Sequence, residues 1–284
     1  MTVGAAHAFK ADLKIGTYDK LMNLNRETIY EQLTDMAEPA YRDFSRKLLP
    51  RCPDDAVAFP EGRPFSQDRL LGVRIPKLRR MAKQMVRADA GPAYLDAVLA
   101  DAGAPIFEEQ MLCAMLIGQT PWPEAVLLPR VAAFVPHIDN WSLCDGFAGE
   151  LKAVGENRAR FDAPLAAWLA SANPWTRRFG IGLLMRYYCT ESDLPRWFAA
   201  FDAMPQEHYY VRMGIAWALA TAYAAFPKRI DHYLTDNRLA ADTRLLTYQK
   251  LVESRKVSAE DKARFRALKK AERFALKERQ LKNG

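Results

Sequence analysis

Residues 175–188 read WTRRFGIGLLMRYY, and the spacing of their apolar residues predicts an α-helix. Five further segments have the same periodicity and begin near Leu71, Phe107, Asn140, Tyr209 and Asp242. Together with the first segment, successive beginnings lie 36, 33, 35, 34 and 33 residues apart. A repeat length in the thirties is typical of proteins built from stacked helical units.

Shorter helical stretches bounded by proline separate these segments. They cover Pro92–Leu99, Pro123–Phe134, Pro164–Leu169 and Leu194–Met204. The repeating unit is therefore a helix pair, which can bury its apolar faces only against its neighbours. Because alternating Val and Ile runs are absent, the sequence predicts an all-α fold, a curved α-solenoid or α-α superhelix.

The composition is that of a globular protein. The chain has 284 residues, of which 50% are hydrophobic and 26% charged. It lacks an apolar run near the roughly 18 residues that a membrane span needs, and residues 1–10 lack the basic start and apolar stretch of a secretory signal. We therefore expect a cytoplasmic location.

The sequence offers few residues for cofactor chemistry. Its four cysteines (Cys52, Cys113, Cys144 and Cys189) and four histidines are scattered, without CxxC or HExxH spacing. No GxSxG, Walker or GxGxxG motif occurs. We expect reduced cysteines, no protein-bound metal and no organic cofactor.

The positive charge is concentrated at the carboxyl end. Residues 255–284 contain eleven Lys and Arg against four acidic residues, a net +7 that equals the charge of the whole chain. Such a segment is suited to contact phosphates, although a solvated helix has the same composition.

The segment that begins at Asn140 places two functional side-chain types together. Leu143, Phe147 and Leu151 are four residues apart and form a predicted buried stripe, which leaves Trp141 and Asp145 together on another face. The alternative is structural: the tryptophan packs on the next repeat, and the aspartate pairs with a nearby arginine.

The next two repeats carry further candidates. Arg177 and Arg178 follow Trp175 at a predicted helix start, where the helix dipole disfavours cations. Either an acidic partner within the fold or an external phosphate would compensate. Trp217 lies among small residues, which leave its ring face accessible or let another helix approach closely.

With these features, the chain resembles the AlkD-like DNA alkylation-repair family, DNA glycosylases built from HEAT-like repeats. The resemblance spans roughly residues 35–270 and rests on the segments LLGVRIPKLRRMAK, VPHIDNWSLCDGF, NPWTRRFGIGLLMRYY, YYVRMGIAWALATAYAAFP and TYQKLVESRKVSAEDK. It implies a single HEAT-like repeat domain over residues 35–270, preceded by a partly helical extension, 1–34, and followed by a basic tail, 271–284. The extension, the loop 51–69 and Gly146, where serine is common, depart from the family pattern.

The resemblance also implies an active surface and an activity. Its residues would be catalytic Asp145, Trp141 and Trp217, phosphate-binding Arg178 and Arg177, and lesion-contacting Tyr41. They would excise cationic N3- or N7-alkylated purines from double-stranded DNA by hydrolysis, without a cofactor and with the lesion still stacked. We expect a monomer, associated with the nucleoid when bound to DNA, and a monofunctional reaction, because the motif cluster contains no lysine.

Two other functions fit the same sequence. A non-catalytic repeat protein would bind damaged or branched DNA through this surface, with Asp145 serving only orientation. A protein-interaction scaffold would use the basic tail to bind an acidic partner.

Overall fold

The computed structural model describes residues 25–49, 66–101 and 105–283. Within these ranges the chain is helical and contains no strand, which confirms the all-α fold and is consistent with a helical-repeat solenoid. The α-helices are α1 Arg26–Met36, α2 Pro39–Leu48, α3 Ile75–Arg87, α4 Gly91–Leu99, α5 Phe107–Gln119, α6 Glu124–Phe134, α7 Trp141–Glu150, α8 Ala153–Glu156, α9 Arg158–Leu169, α10 Pro174–Tyr187, α11 Leu194–Ala203, α12 Tyr209–Tyr223, α13 Pro227–Thr235, α14 Ala241–Glu253 and α15 Ala259–Asn283.

The described residues divide into two compact units. The first contains α1–α6 together with the short 3-10 helices Gln67–Arg69 and Val135–His137, and the second contains α7–α15. Residues 1–24, most of the predicted extension, and residues 50–65, most of the predicted loop, lie outside the described residues. The predicted domain boundaries after residues 34 and 270 fall inside α1 and α15, and they stay predictions.

Most predicted helices begin within about two residues of the observed start, and α3 and α9 are the exceptions. Helix α3 starts late. It begins at Ile75 rather than near Leu71, because the preceding backbone is bound to a buried carboxylate. Glu108 on α5 accepts hydrogen bonds from the backbone N–H groups of Leu71 (3.1 Å), Gly72 (2.7 Å) and Val73 (3.2 Å). Gly72 also has a φ of +95°, which a helix does not allow.

A second difference concerns α9. The prediction starts this helix at Pro164, but it begins six residues earlier, at Arg158, and contains the proline. Proline in a sequence predicts a helix boundary, but Phe161 and Leu165, both buried, hold the helix in place on either side of Pro164.

The first unit contains a buried ionic contact close to Glu108. Glu109 is almost fully buried and pairs with Arg26 of α1, whose Nε lies 2.7 Å from its Oε1. Arg26 also pairs with Asp101 at 2.6 Å, so one guanidinium joins three segments of the unit. Gly72 is required here for space as well, since a Cβ at this position would lie 2.6 Å from the Cβ of Arg42.

The second unit is a row of neighbouring helices. Helix α7 packs on α10, α10 on α12, α12 on α14, and α14 on α15. Phe147 and Phe179 stack at 5.1 Å between α7 and α10, and a Cβ at Gly182 would lie 3.2 Å from the Cβ of Ala148. These contacts hold α7 and α10 close together, and they position the residues of the candidate site.

The carboxyl-terminal helix α15 is attached through its first half. Phe265 is fully buried against Tyr223 and Tyr248, and Arg264 binds both Asp231 and the Tyr223 hydroxyl.

The described residues contain no helix long and apolar enough to span a membrane, and no cluster of three or more His, Cys, Asp or Glu arranged to hold a metal ion. Cys113 and Cys144 are free and buried, and Cys52 lies outside the described residues.

Candidate active site

Helix α7 presents Trp141 and Asp145 as the spacing predicts. The Asn140 side chain caps the helix by accepting a hydrogen bond from the Leu143 N–H at 2.9 Å. Leu143 and Phe147 are fully buried. The opposite face is therefore turned to a cleft of about 680 Å³ that both Trp141 and Asp145 line.

Asp145 is held by a bidentate ion pair with Arg178 of α10. Arg178 Nη2 donates to Asp145 Oδ2 at 2.7 Å, and Nε donates to Oδ1 at 3.1 Å. The Arg178 side chain is 5% exposed and that of Asp145 is 17% exposed. The acidic partner that the helix-start arginine requires is thus present within the fold, and it is the candidate catalytic carboxylate itself.

A third contact fixes the guanidinium. Arg178 Nη1 donates to the backbone carbonyl of Tyr210 at 2.8 Å, so three of its five N–H groups are engaged. Burial alone would lower the pKa of Arg178, but the charge of Asp145 outweighs it and holds the pKa above its usual value. The arginine therefore remains a cation beside the Asp145 carboxylate.

Arg177 has a different environment although it is adjacent in sequence. It is buried, and it is not among the cleft residues. Burial lowers the pKa of its guanidinium, and its Nε has no hydrogen-bond partner in the described part of the chain. Its predicted phosphate-binding role stays a prediction.

The walls of the cleft are aromatic and apolar. Trp217 of α12 is 40% exposed and lines the cleft together with Tyr210 and Met213. A Cβ at Gly214 would lie 3.5 Å from Ile181, so α12 also approaches α10 closely. The two alternatives for the small residues around Trp217 therefore both hold.

Two other residues near the cleft have structural roles. Trp175 is buried and packs beneath Tyr210, with ring centroids 5.1 Å apart. Cys144 is also buried, which raises the pKa of its thiol well above the usual value and makes it a poor nucleophile.

Sequence reasoning missed one side of the cleft. It is formed by the end of α14 and the loop that follows, with Lys250, Glu253, Ser254, Arg255 and Lys256. These residues lie within the segment TYQKLVESRKVSAEDK, but their position one repeat beyond Trp217 gave no signal that they line the same cleft as Asp145. The expectation that no lysine belongs to the cluster is wrong, because two lysines line the cleft.

Tyr41, the predicted lesion contact, belongs to the first unit. It lies on α2, with the Arg74 guanidinium 4.8 Å from its ring centroid and Phe44 6.1 Å away. Its contact with a lesion stays a prediction. The structure brings together four of the six predicted site residues, Trp141, Asp145, Arg178 and Trp217, in one cleft.

The fold and the cleft define a class: an all-α protein of helix pairs with a carboxylate–arginine pair at the bottom of an aromatic cleft. The family model described as DNA alkylation repair enzyme matches residues 29–248. The chain therefore belongs to the DNA alkylation repair enzyme family, which assigns it to the repair of alkylated DNA. No curated protein matches the chain. The match includes the four cleft residues above and ends before Lys250.

Proposed function

We propose that the protein is a DNA glycosylase that removes cationic N3- or N7-alkylated purines by hydrolysis of the N-glycosidic bond. The observation that carries the proposal is the Asp145 carboxylate, held by buried Arg178 and facing an aromatic cleft, in a member of a DNA alkylation repair family.

The chemistry of the lesion matches this site. A purine alkylated at N3 or N7 is positively charged, so it leaves with the electron pair of the glycosidic bond and needs no proton from a general acid. The deoxyribose meanwhile develops oxocarbenium character at C1′. A nearby fixed anion stabilises that charge and orients the water that adds to C1′, with the proton of the water passing to the carboxylate or to solvent.

Arg178 keeps Asp145 ready for this role. Its two hydrogen bonds orient both oxygens of the Asp145 carboxylate, and its hydrogen bond to the Tyr210 carbonyl restrains the guanidinium itself. Because the carboxylate is already ionised and oriented, little reorganisation is needed as the sugar becomes positive. Arg178 is thus a positioning residue in the proposed mechanism, and the phosphate contact predicted for it from the sequence would have to compete with its pair to Asp145.

The aromatic walls of the cleft favour a positively charged base. A cation over a tryptophan face gains about 0.5–2 kcal/mol, depending on how well water is excluded. Trp141 and Trp217 line the same cleft as Asp145, so they are placed to favour an alkylated, cationic nucleotide over a neutral one. The open cleft is consistent with contact from outside the duplex, without extrusion of the base.

The experiment is base release from methylated duplex DNA. We expect native protein to release free 7-methylguanine and 3-methyladenine and to leave an intact abasic strand. Strand cleavage, together with a covalent protein–DNA adduct formed when borohydride reduces a Schiff base between the sugar and Lys250 or Lys256, would instead indicate a lyase step and contradict a monofunctional reaction.

Two results would replace the proposal by the alternatives. DNA binding without any base release identifies a non-catalytic binding protein. Absence of both base release and DNA affinity at moderate salt identifies a protein-interaction scaffold.

A further inference from the structure

Only some of the charged residues that line the cleft form ion pairs. Asp145 is paired with Arg178 at 2.7 Å, and Glu253 is paired with Lys250 at 2.9 Å. Glu253 also accepts a hydrogen bond from the Gln249 amide at 2.7 Å. The hydrogen bond from Lys250, together with that from Gln249, lowers the pKa of Glu253.

Two cations remain after this pairing. Arg255 and Lys256 are exposed, line the cleft, and have no ion-pair partner among the described residues. The residues that line the cleft therefore have a net charge of +2, and the two cations without an ion-pair partner within the described ranges are adjacent, at the end of the cleft formed by the loop after α14.

The backbone of this end is fixed even though the two side chains are exposed. The Ser254 hydroxyl accepts a hydrogen bond from the Lys256 N–H at 3.3 Å, and Val257 is buried. Ser258 begins α15 by accepting a hydrogen bond from the Asp261 N–H at 3.0 Å. Three anchors within five residues fix the backbone that carries the two cations, so a ligand has to order only their side chains when it binds.

A DNA substrate requires a phosphate contact in this cleft, and Arg178 is poorly placed to supply it. Its side chain is 5% exposed and already bound to Asp145, so a phosphate would have to compete with that pair. Arg255 and Lys256 have no such competitor. Arginine binds a phosphate through two parallel N–H groups, and lysine adds a mobile point charge.

We propose that Arg255 and Lys256 form the phosphate-binding subsite of the cleft and hold the DNA backbone while Asp145 faces the deoxyribose of the lesion. The inference rests on the proposed function for its ligand. It assigns affinity to the loop between α14 and α15, and catalysis to the pair between α7 and α10.

The test measures equilibrium binding of duplex DNA as a function of salt concentration. The variant is Arg255→Ala/Lys256→Ala, and the control is Lys228→Ala/Arg238→Ala, which removes the same charge from exposed residues of the second unit outside the cleft. Each lost phosphate contact reduces the slope of log K against log salt by about 0.9. We expect a decrease of about 1.8 for the variant and a native slope for the control.

Single-turnover base release at saturating DNA provides the second readout. If Arg255 and Lys256 hold the DNA backbone, the variant should bind DNA more weakly but release base at a nearly native rate at saturating DNA, because Asp145 and Arg178 are unchanged. A native salt slope in the variant, or an equal decrease in the control, overturns the subsite. If native protein releases no base at all, the proposed function fails, whereas the binding slopes still decide whether the subsite holds DNA.

Discussion

The buried pair between Asp145 and Arg178 leads to a quantitative prediction for Arg178→Met. This substitution keeps the aliphatic stem but removes a guanidinium that donates twice to Asp145 and once to the Tyr210 carbonyl. Breaking a buried ion pair from one side costs about 3–5 kcal/mol, since the other charge is left without a partner. Asp145 borders an open cleft and is 17% exposed, so water replaces part of the loss. We expect the free energy of unfolding to decrease by about 3 kcal/mol.

A double-mutant cycle in urea isolates the pair from other effects of the substitution. Arg178→Met, Asp145→Ala and the double variant should give a coupling energy of about 2–3 kcal/mol. The matched control is the pair of Arg196 and Asp162, which has a similar N–O distance (2.6 Å against 2.7 Å) but side chains 34% and 50% exposed. Its coupling should stay below about 1 kcal/mol.

Equal coupling energies in the two cycles would refute this reasoning. Such a result would mean that burial adds nothing to the Asp145–Arg178 interaction. The carboxylate would then be held no more firmly than a surface residue, and its preorganisation could not contribute to catalysis.

Four other substitutions test the surrounding structure. Gly72→Ala should decrease the free energy of unfolding by at least about 2 kcal/mol, because φ is +95° and the new Cβ would lie 2.6 Å from that of Arg42. The control is Gly214→Ala, whose new Cβ would lie 3.5 Å from the nearest atom, in Ile181. It should be neutral or slightly stabilising in the same denaturation assay. Glu108→Gln should cost about 1.5–3 kcal/mol, since a neutral amide replaces a charged acceptor of three backbone N–H groups; a native denaturation midpoint would contradict this. Burial, with nearby carboxylates, raises the pKa of Tyr223 from 10.0 to about 12. The stability that the neutral Tyr223 hydroxyl contributes is therefore complete below pH 10 and is lost as the pH rises to 12. Tyr223→Phe should lose less stability than native protein between these pH values, and identical alkaline stability profiles would exclude the contribution.

The helical pattern allowed the fold and part of the site to be predicted from the sequence. A stripe of buried residues one turn apart determines which face of a helix is free, so the positions of Leu143 and Phe147 were enough to place Trp141 and Asp145 together. The all-α fold followed in the same way from the regular spacing of such stripes. These features depend on local periodicity, which a single sequence displays.

Contacts between repeats were not predictable in the same way. The partner of Arg178 lies 33 positions away, and the sequence equally allowed an internal acid or an external phosphate. The late start of α3 depends on Glu108, which binds backbone about 36 residues earlier in the chain. The basic end of the cleft comes from a loop whose direction is set by packing of α14 on α12. In each case a contact between distant parts of the chain determines the structure, and the local sequence pattern does not encode that contact.

The central claim is that the ionised carboxylate of Asp145 drives excision of cationic purines. The most direct test is the single-turnover release of 7-methylguanine by native protein and by Asp145→Asn, which retains the shape of the side chain and removes its charge, with DNA affinity measured in parallel. Our account predicts similar affinity and a rate at least about 100-fold lower for the variant, the loss typical of removing one preorganised electrostatic group. Release by the variant at the native rate would contradict it.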